Sequence, residues 1–286
     1  MKTLRLMRVH HYIKNVLIFL PLIFSGQLFR PGLFVSTLWG TLAFCLMTSI
    51  VYIVNDIRDL EKDRRHPTKC RRPLASGELS VAYAKKVIIV LVAAIAAILL
   101  LGGHFHMSTI LYMLIYMGLN LGYSFGLKNY PIIDIVILVS GFLLRMIYGS
   151  SLTGIEVSSW LYLTVMSISF YLGFGKRRNE FRRTGSQSRE VLKYYTYEFL
   201  DKNMVLFLAL SDVFYSLWCV NMIDSGRYGH LLLWTVPMVL VIEMRYSLDV
   251  EGEYDGDPVE VMYHDRVLIG LVSCYGLIML MLLYLR

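Results

Sequence analysis

Apolar residues occur along this chain in long blocks, each close to the length of a membrane-spanning helix. A helix rises about 1.5 Å per residue, so about 20 apolar residues cross the hydrocarbon core of a bilayer. Nine blocks are predicted to be transmembrane helices, with approximate bounds 16–29, 33–54, 82–102, 107–124, 131–150, 158–175, 203–223, 229–247 and 267–285. The pattern predicts an all-α polytopic membrane protein in which residues 1–286 form a single domain.

The composition supports insertion into a lipid bilayer. Hydrophobic residues make up 56% of the 286 positions and charged residues 17%, whereas soluble domains average about 45–50% and about 25%. The first block follows a basic N-terminal stretch, as in a signal peptide. No small-residue cleavage site follows it and further blocks come after it, so it is predicted to stay as a helix.

The distribution of Lys and Arg predicts the topology. On the assumption of a cytoplasmic N-terminus, 24 of the 28 fall in inner segments, namely 1–15, 55–86, Lys128, 176–202, Arg245 and Arg266. Cytoplasmic loops are enriched in these residues, which predicts N-in, C-out insertion in the cell (inner) membrane. A basic membrane face favours lipid headgroups or phosphorylated substrates as partners rather than nucleic acid.

The second predicted span ends in a cluster of acids with regular spacing. Asn55, Asp56, Asp59 and Asp63 form the pattern N-D-x-x-D-x-x-x-D. If the helix continues, the three aspartates line one face over two turns, where their mutual repulsion favours a cation. Mg²⁺ typically binds one or two carboxylates together with substrate phosphates, so Asn55 and the three aspartates are predicted to be metal ligands. The three aspartates are also predicted to be catalytic. The alternative is a solvated helix end whose acids pair with neighbouring bases.

A basic loop follows the acids directly. Pro67 and Pro73 interrupt helix and Gly77 permits a turn, so the loop is predicted to fold back over the helix ends. Its bases would neutralise phosphate charge that the metal leaves uncompensated. The substrate-binding candidates in and beside this loop are Arg58, Arg64, His66, Lys69, Arg71 and Arg72. The alternative is a basic anchor that only fixes topology.

The segment NDIRDLEKDRRHPTKCRRPLASG resembles the first signature of the UbiA prenyltransferase superfamily. The resemblance implies about nine helices around a central cavity open to the cytoplasmic side. It also implies Mg²⁺ as the cofactor for ionisation of a substrate diphosphate.

Four further segments resemble one branch of that superfamily, the decaprenyl-phosphate phosphoribosyltransferases. They are HHYIKNVLIFLPLIFSGQLF, YSFGLKNYPIIDIVILVSGFLLRMIYG, LGFGKRRNEF and DGDPVEVMYHDR. The resemblance implies that 5-phosphoribosyl 1-diphosphate is the donor and a polyprenyl phosphate the acceptor. Additional substrate-binding candidates in or beside these segments are Lys14, Asn15, Tyr123, Lys128, Lys176, Arg177 and Arg178.

One segment departs from the aromatic prenyltransferases of the superfamily. Those enzymes carry a second Asp-rich motif after the sixth helix, where this chain has GKRRNEFRRTGSQSRE. A second metal held by aspartates is therefore in doubt, and Glu180 is the candidate replacement ligand. The basic segment suits substrates with more phosphate, although a basic cytoplasmic loop without a substrate role explains it too.

Two features outside these motifs carry further expectations. Arg145 lies within a predicted span, where an unpaired Arg costs roughly 3 kcal/mol or more, so it is predicted to face the helix bundle as a structural partner or a ligand.

An acidic loop precedes the last span and is predicted to be a cytoplasmic lid or to ion-pair with basic loops. Its acids are Asp249, Glu251, Glu253, Asp255, Asp257, Glu260 and Asp265.

Other functions remain open from the sequence. The nearest alternative is a UbiA-type prenyltransferase that moves a prenyl group from a prenyl diphosphate to an aromatic or lipid acceptor, because the Asp motif fits both reactions. A transporter would carry a polar path across the bilayer, whereas charge here clusters on one face. A non-catalytic scaffold would lack the metal ligands. The oligomeric state is undetermined, and a homo-oligomer stays open.

Overall fold

The computed structural model describes residues 1–66, 68–102, 106–185, 189–251, 261 and 264–285, and their regular structure is helical. The α-helices are α1 (Lys2–Leu6), α2 (Leu20–Phe24), α3 (Pro31–Arg58), α4 (Leu60–Arg64), α5 (Val81–Leu101), α6 (Met107–Phe125), α7 (Ile133–Thr153), α8 (Ser159–Thr184), α9 (Tyr197–Asp224), α10 (Thr235–Glu251) and α11 (Arg266–Tyr284). The 3₁₀-helices are Val9–Phe19, Lys69–Arg71, Leu127–Asn129, Glu190–Tyr194 and His230–Trp234.

Six helices in the described part of the chain are long and apolar enough to cross a membrane. They are Pro31–Arg58, Val81–Leu101, Ile133–Thr153, Tyr197–Asp224, His230–Glu251 and Arg266–Tyr284. Each coincides with one of the predicted spans. The prediction of an all-α polytopic membrane protein is therefore confirmed at these six helices.

The other three predicted spans contain helix but differ from the six. The span predicted over 16–29 corresponds to the shorter apolar stretch Val9–Phe24, which is partly 3₁₀-helix. The spans predicted over 107–124 and 158–175 fold as α6 and α8. Tyrosine and other polar residues in both helices lower the mean hydropathy, so the total of nine spans stays a prediction.

Four of the helices begin with a local side-chain contact. A serine, threonine or aspartate accepts a hydrogen bond from a free backbone N–H at the start of four helices, which stabilises each start. These residues are Ser80 before α5, Ser158 before α8, Thr196 before α9 and Asp265 before α11. Between the ends, backbone groups are paired within each helix, as the hydrocarbon of a bilayer requires.

The chain forms two compact units, and α7 contributes to both. The first unit contains Met1–Leu127 and Leu144–Glu156, and the second contains Lys128–Leu143 and Val157–Arg286. The first unit has two buried apolar clusters. One surrounds Phe44, Tyr116 and Tyr148, and the other packs Leu6 of α1 against residues of α3 and α5.

The second unit has an aromatic-rich core. Tyr171 and Phe174 of α8 pack with Tyr195, Met204 and neighbouring apolar residues of the unit. Within the described residues, the acids of the predicted lid that can be placed are Asp249, Glu251 and Asp265. The lid acids between them, Glu253, Asp255, Asp257 and Glu260, lie outside the described residues.

Candidate active site

The acid motif occupies a break between two helices of the first unit. α3 ends at Arg58, Asp59 has φ −86° and ψ 10°, and α4 begins at Leu60. The chain keeps helical hydrogen bonds across the break, from Asp59 N–H to the Asn55 carbonyl at 2.9 Å and from Asp63 N–H to the Asp59 carbonyl at 2.8 Å. The uninterrupted helix assumed from the sequence is therefore corrected to two helices joined at Asp59.

Two of the three aspartates contact one cationic side chain, that of Arg72. Nη1 of Arg72 lies 3.2 Å from Asp56 Oδ1 and 2.5 Å from Asp63 Oδ2. Asp56 and Asp63 are 3% and 4% exposed, and Asp59 is half-buried. A carboxylate this deeply buried is costly unless it is paired, and the Arg72 guanidinium offsets that cost for both acids.

Arg72 reaches the acids because the basic loop folds back, as predicted. A 3₁₀-turn over Lys69–Arg71 precedes Arg72, whose carbonyl accepts a hydrogen bond from Ser76 N–H at 2.9 Å. Leu74, 3% exposed, anchors the loop in the apolar cluster of α3 and α5. Gly77 has φ +76°, the left-handed turn conformation that glycine adopts without strain.

A second arginine at the acids was not anticipated from the sequence. Arg8 forms an ion pair with the same Oδ1 of Asp56, and its guanidinium lies 4.9 Å from the centre of the Tyr52 ring. Arg8 has φ +52°, an uncommon backbone conformation for a residue other than glycine. It is 48 residues from Asp56, so local spacing does not reveal the pair, and the sequence predicts for Arg8 a role in topology alone.

Other predicted residues around the motif make local contacts. Asn55 accepts a hydrogen bond from Ser124 Oγ at 2.9 Å. Nη2 of Arg58 lies 3.3 Å from the Phe125 carbonyl, and its guanidinium lies 4.2 Å from the centre of that ring. The remaining predictions are placed as follows: Arg64 pairs with Glu61 at 2.8 Å, Nδ1 of His66 accepts from Thr68 N–H at 3.3 Å, the Arg71 carbonyl accepts from Arg5 at 3.0 Å, and Lys14, Lys69, Tyr123 and Lys128 are half-buried.

Asn15 belongs to a buried polar cluster around Arg145. The Arg145 side chain donates from Nε to Asn15 Oδ1 at 2.7 Å and from Nη2 to the Tyr116 hydroxyl at 2.9 Å. Its guanidinium also faces the rings of Phe44 and Tyr116. Arg145 is 5% exposed, so it faces the interior of the first unit, as expected for an Arg in a membrane helix.

In the second unit, the GKRRNEF segment lies within α8 and forms ion pairs. Arg177 is fully buried, with Nε 2.6 Å from Asp134 and Nη1 2.9 Å from Glu180. Glu180 in turn contacts Arg189 at 2.5 Å. Arg178 pairs with Asp201. Lys176 is half-buried. The segment predicted as a basic loop is therefore the charged end of a helix.

The charges in this network set the protonation of Glu180. Burial alone would raise the pKa of Glu180, but the guanidinium groups of Arg189 and Arg177 outweigh burial and lower it below its ordinary value. Burial raises the pKa of the Tyr195 hydroxyl, as does its hydrogen bond to Asp134 at 2.7 Å. Glu180 thus stays a carboxylate and Tyr195 a neutral donor near neutral pH.

The donor set at Asp56 and Asp63 fits a divalent cation. Carboxylate oxygens are the ligands that Mg²⁺ prefers, and one cationic nitrogen already lies against both side chains. Within the described residues, no three His, Cys, Asp or Glu side chains are arranged to hold a metal ion. Two protein carboxylates completed by substrate phosphates remain a normal Mg²⁺ arrangement.

Comparison with known proteins identifies the family. A family model described as the UbiA prenyltransferase family matches residues 16–248. The chain belongs to this family. As a member of the UbiA family, it is a transferase and a multi-pass membrane protein.

Curated relatives of this UbiA-family chain have a more specific name. The decaprenyl-phosphate phosphoribosyltransferase of Corynebacterium glutamicum is 31% identical over 98% of this chain and 86% of its own length. The protein of the same name from Mycobacterium tuberculosis is 33% identical over 91% of this chain and 87% of its own length.

Solved structures show the same fold at lower sequence identity. A UbiA homolog from Archaeoglobus fulgidus bound to GPP and Mg²⁺ has a TM-score of 0.72 at 18% identity, covering 98% of this chain and 99% of its own. The same homolog bound to DMAPP and Mg²⁺ has a TM-score of 0.71. The likeness establishes the UbiA membrane fold for this chain, and Mg²⁺ is bound in those relatives.

Proposed function

We propose that this UbiA-family transferase moves 5-phosphoribose from 5-phosphoribosyl 1-diphosphate to a polyprenyl phosphate, such as decaprenyl phosphate, and releases diphosphate. The observation that carries the proposal is the convergence of Asp56 and Asp63 on one cationic nitrogen at the end of α3. The named relatives, each about one third identical over most of the chain, support the choice of substrates.

Asp56 and Asp63 are the proposed Mg²⁺ ligands, and Asp59 and Asn55 are the further candidates. When bound, the metal would neutralise charge on the departing diphosphate and so lower the barrier to its loss. Both carboxylates are nearly inaccessible to solvent. Burial strengthens their attraction for a cation relative to an exposed pair.

The arginines beside the acids are proposed to bind phosphate. Arg72 presents a planar guanidinium, whose paired N–H groups match phosphate oxygens. Its side chain is 25% exposed, so it is accessible from one side while it contacts the acids. Lys69 and Arg71 adjoin it in the 3₁₀-turn and would add positive charge for the donor.

The proposed reaction needs little proton transfer. The bond between the anomeric carbon and the diphosphate oxygen breaks, and its electron pair leaves with the diphosphate. An oxygen of the acceptor phosphate forms the new bond to that carbon. Because a phosphate monoester is already anionic near neutral pH, no strong general base is required and positioning is the main demand.

The proposed location is the inner membrane, with the active site on the cytoplasmic side. Basic residues dominate the segments that hold the acid motif and its following loop. Such segments stay in the cytoplasm during insertion. A water-soluble donor would meet the phosphate of a lipid acceptor there, while the lipid tail remains in the bilayer.

The test is a transfer assay with the purified protein. The protein is incubated with Mg²⁺, labelled 5-phosphoribosyl 1-diphosphate and decaprenyl phosphate, and label is measured in the organic phase. A parallel reaction supplies a labelled prenyl diphosphate and an aromatic acceptor. We expect Mg²⁺-dependent transfer in the first reaction only, and transfer in the second reaction only would replace this proposal with aromatic prenyl transfer.

A further inference from the structure

Two arginines contact a single oxygen atom of Asp56. Arg8 and Arg72 both contact Oδ1 of this carboxylate, and Arg72 also contacts Asp63. Two guanidinium groups and a divalent cation cannot share that oxygen, because the positive charges repel and the lone-pair positions are filled. A divalent cation that binds Asp56 through Oδ1 therefore requires at least one arginine to move, and a cation that binds through Oδ2 is repelled by both guanidinium groups.

Arg8 is the arginine that can leave at lower cost. Arg72 holds both carboxylates, and the loop that follows it is fixed by the buried side chain of Leu74. Within the described residues, Arg8 forms its single ion pair with Asp56. It lies at the joint between α1 and the 3₁₀-helix Val9–Phe19, with φ +52°. A disfavoured backbone conformation of this kind persists only while surrounding contacts hold it.

Tyr52 would keep a displaced Arg8 beside the site. The Arg8 guanidinium lies 4.9 Å from the centre of the Tyr52 ring, which belongs to α3 one turn before Asp56. The backbone before Arg8 is tied to the same helix, because Ser49 Oγ donates to the Met7 carbonyl at 2.8 Å. A guanidinium stacked on a ring still offers its N–H edges to another acceptor.

We propose that Arg8 is an exchangeable counter-ion, which neutralises Asp56 before a divalent cation binds and turns to a phosphate group of the donor afterwards. This inference rests on the proposed metal site at Asp56 and Asp63. It makes Arg8 a positioning residue whose replacement has opposite effects on two ligands. Metal alone should bind more tightly without Arg8, and diphosphate in the presence of metal should bind more weakly.

The test measures Mn²⁺ binding to the full-length protein by electron paramagnetic resonance. Arg8→Gln should bind Mn²⁺ about tenfold more tightly than wild type, the change expected when one charge-assisted contact no longer competes. Lys2→Gln removes the same charge from an exposed position of α1 and should stay within about twofold of wild type. Arg8→Lys retains the charge and should restore an affinity near that of wild type.

A second titration adds inorganic diphosphate at saturating Mn²⁺. Arg8→Gln should bind diphosphate about tenfold more weakly than wild type, because one phosphate contact is lost. A purely structural role for Arg8 would weaken both ligands together. Unchanged or weaker Mn²⁺ binding in Arg8→Gln, or unchanged diphosphate binding, would overturn the inference.

The Asp56→Asn variant distinguishes failure of the counter-ion inference from failure of the proposed metal site. If Asp56→Asn abolishes Mn²⁺ binding while Arg8→Gln fails to strengthen it, only the counter-ion inference fails. If Asp56→Asn binds Mn²⁺ as wild type does, the metal site itself fails. Should Arg8→Gln be unstable without metal, its thermal unfolding with and without Mn²⁺ gives the same comparison, because tighter binding produces a larger rise in Tm.

Discussion

The contacts of some residues around the acid motif can be predicted from the sequence, and those of others cannot. Asp56 and Asp63 are seven positions apart, which is two helical turns, and helical hydrogen bonds continue across Asp59, so both acids lie on the side that Arg72 contacts. Arg72 follows within a loop whose prolines and glycine predicted the return. Arg8 has no such local signal, and its pairing with Asp56 depends on the packing of α1 against α3.

The first residue-scale prediction concerns the carboxylates. Asp56→Asn, Asp59→Asn and Asp63→Asn should each remove most transfer activity, with a loss of roughly tenfold to a hundredfold. Loss of one carboxylate weakens metal binding, so activity should partly return at high Mg²⁺. Glu61→Gln changes an exposed acid paired with Arg64 and is the control. Normal turnover in Asp56→Asn and Asp63→Asn would contradict the assignment.

The second residue-scale prediction concerns Lys176. Its neighbours Arg177 and Arg178 are buried in ion pairs, so replacing either changes stability as well as charge. Lys176→Ala should raise KM for a phosphorylated substrate about tenfold with a smaller effect on kcat, if the contact acts equally in ground and transition states. Lys202→Ala, an exposed Lys on α9, is the control. Equal kinetics for Lys176→Ala and wild type would contradict a substrate-binding role for Lys176.

At the scale of elements, α8 ends in an ion network rather than an open basic loop. Arg177 and Glu180 are one turn apart on α8, and Asp134 and Arg189 join them from α7 and from the segment after α8. The sequence predicted basic residues here but not their partners. Removing one partner of a buried ion pair leaves the other charge buried and unpaired. The resulting loss of stability is larger than the net stabilisation that the intact pair provides.

This network predicts a pH dependence of stability. The folded-state pKa of Glu180 lies below its ordinary value of 4.5, so its contribution is complete above that pH and is lost as the pH falls through the lowered value. Lowering the pH from about 6 to about 3 should therefore reduce the free energy of unfolding of wild type more than that of Glu180→Gln, by on the order of 1 kcal/mol. Thermal unfolding at a series of pH values measures this difference. Glu190→Gln, an exposed acid nearby, should follow wild type. Parallel curves for wild type and Glu180→Gln would rule out this contribution.

A close approach between two elements of the first unit predicts a sensitive glycine. A Cβ atom at Gly149 of α7 would lie 1.9 Å from the Ile18 carbonyl oxygen. Gly149→Ala should thus lower stability by about 1–3 kcal/mol, because backbone must shift to relieve the overlap. Gly118→Ala in α6 is the matched control, since no atom lies within 4 Å of its added Cβ. Helix propensity should make that variant neutral or up to about 1 kcal/mol more stable, and equal losses in both would contradict the close approach.

At the scale of the whole molecule, membrane insertion follows from the composition of the chain. Six apolar helices of the described chain are long enough to cross a bilayer, and all six were evident from apolar runs. The orientation depends on loop charge. It is a separate prediction, because a helical structure is compatible with either direction of insertion.

The topology prediction is that Asp56, Asp63 and Lys176 face the cytoplasm. In a background without the native cysteines Cys45, Cys70, Cys219 and Cys274, a single Cys at position 176 should react with a membrane-impermeant reagent only after the cells are opened. A Cys at position 227, in a predicted outer connection, is the control and should react in intact cells. Labelling of position 176 in intact cells, without labelling at 227, would reverse the orientation.

The sequence alone determined the membrane class, the six confirmed spans, the UbiA resemblance and the position of the acid motif at the end of the second predicted span, because apolar runs and short-range spacing are local properties of the chain. Only the tertiary structure decided which charges meet. Arg8 reaches Asp56, Arg145 reaches Asn15, and Arg177 reaches Asp134 across 48, 130 and 43 positions. A buried charge must find a partner to offset its desolvation. Which partner it finds depends on how helices distant in sequence pack together, and the sequence does not display that packing.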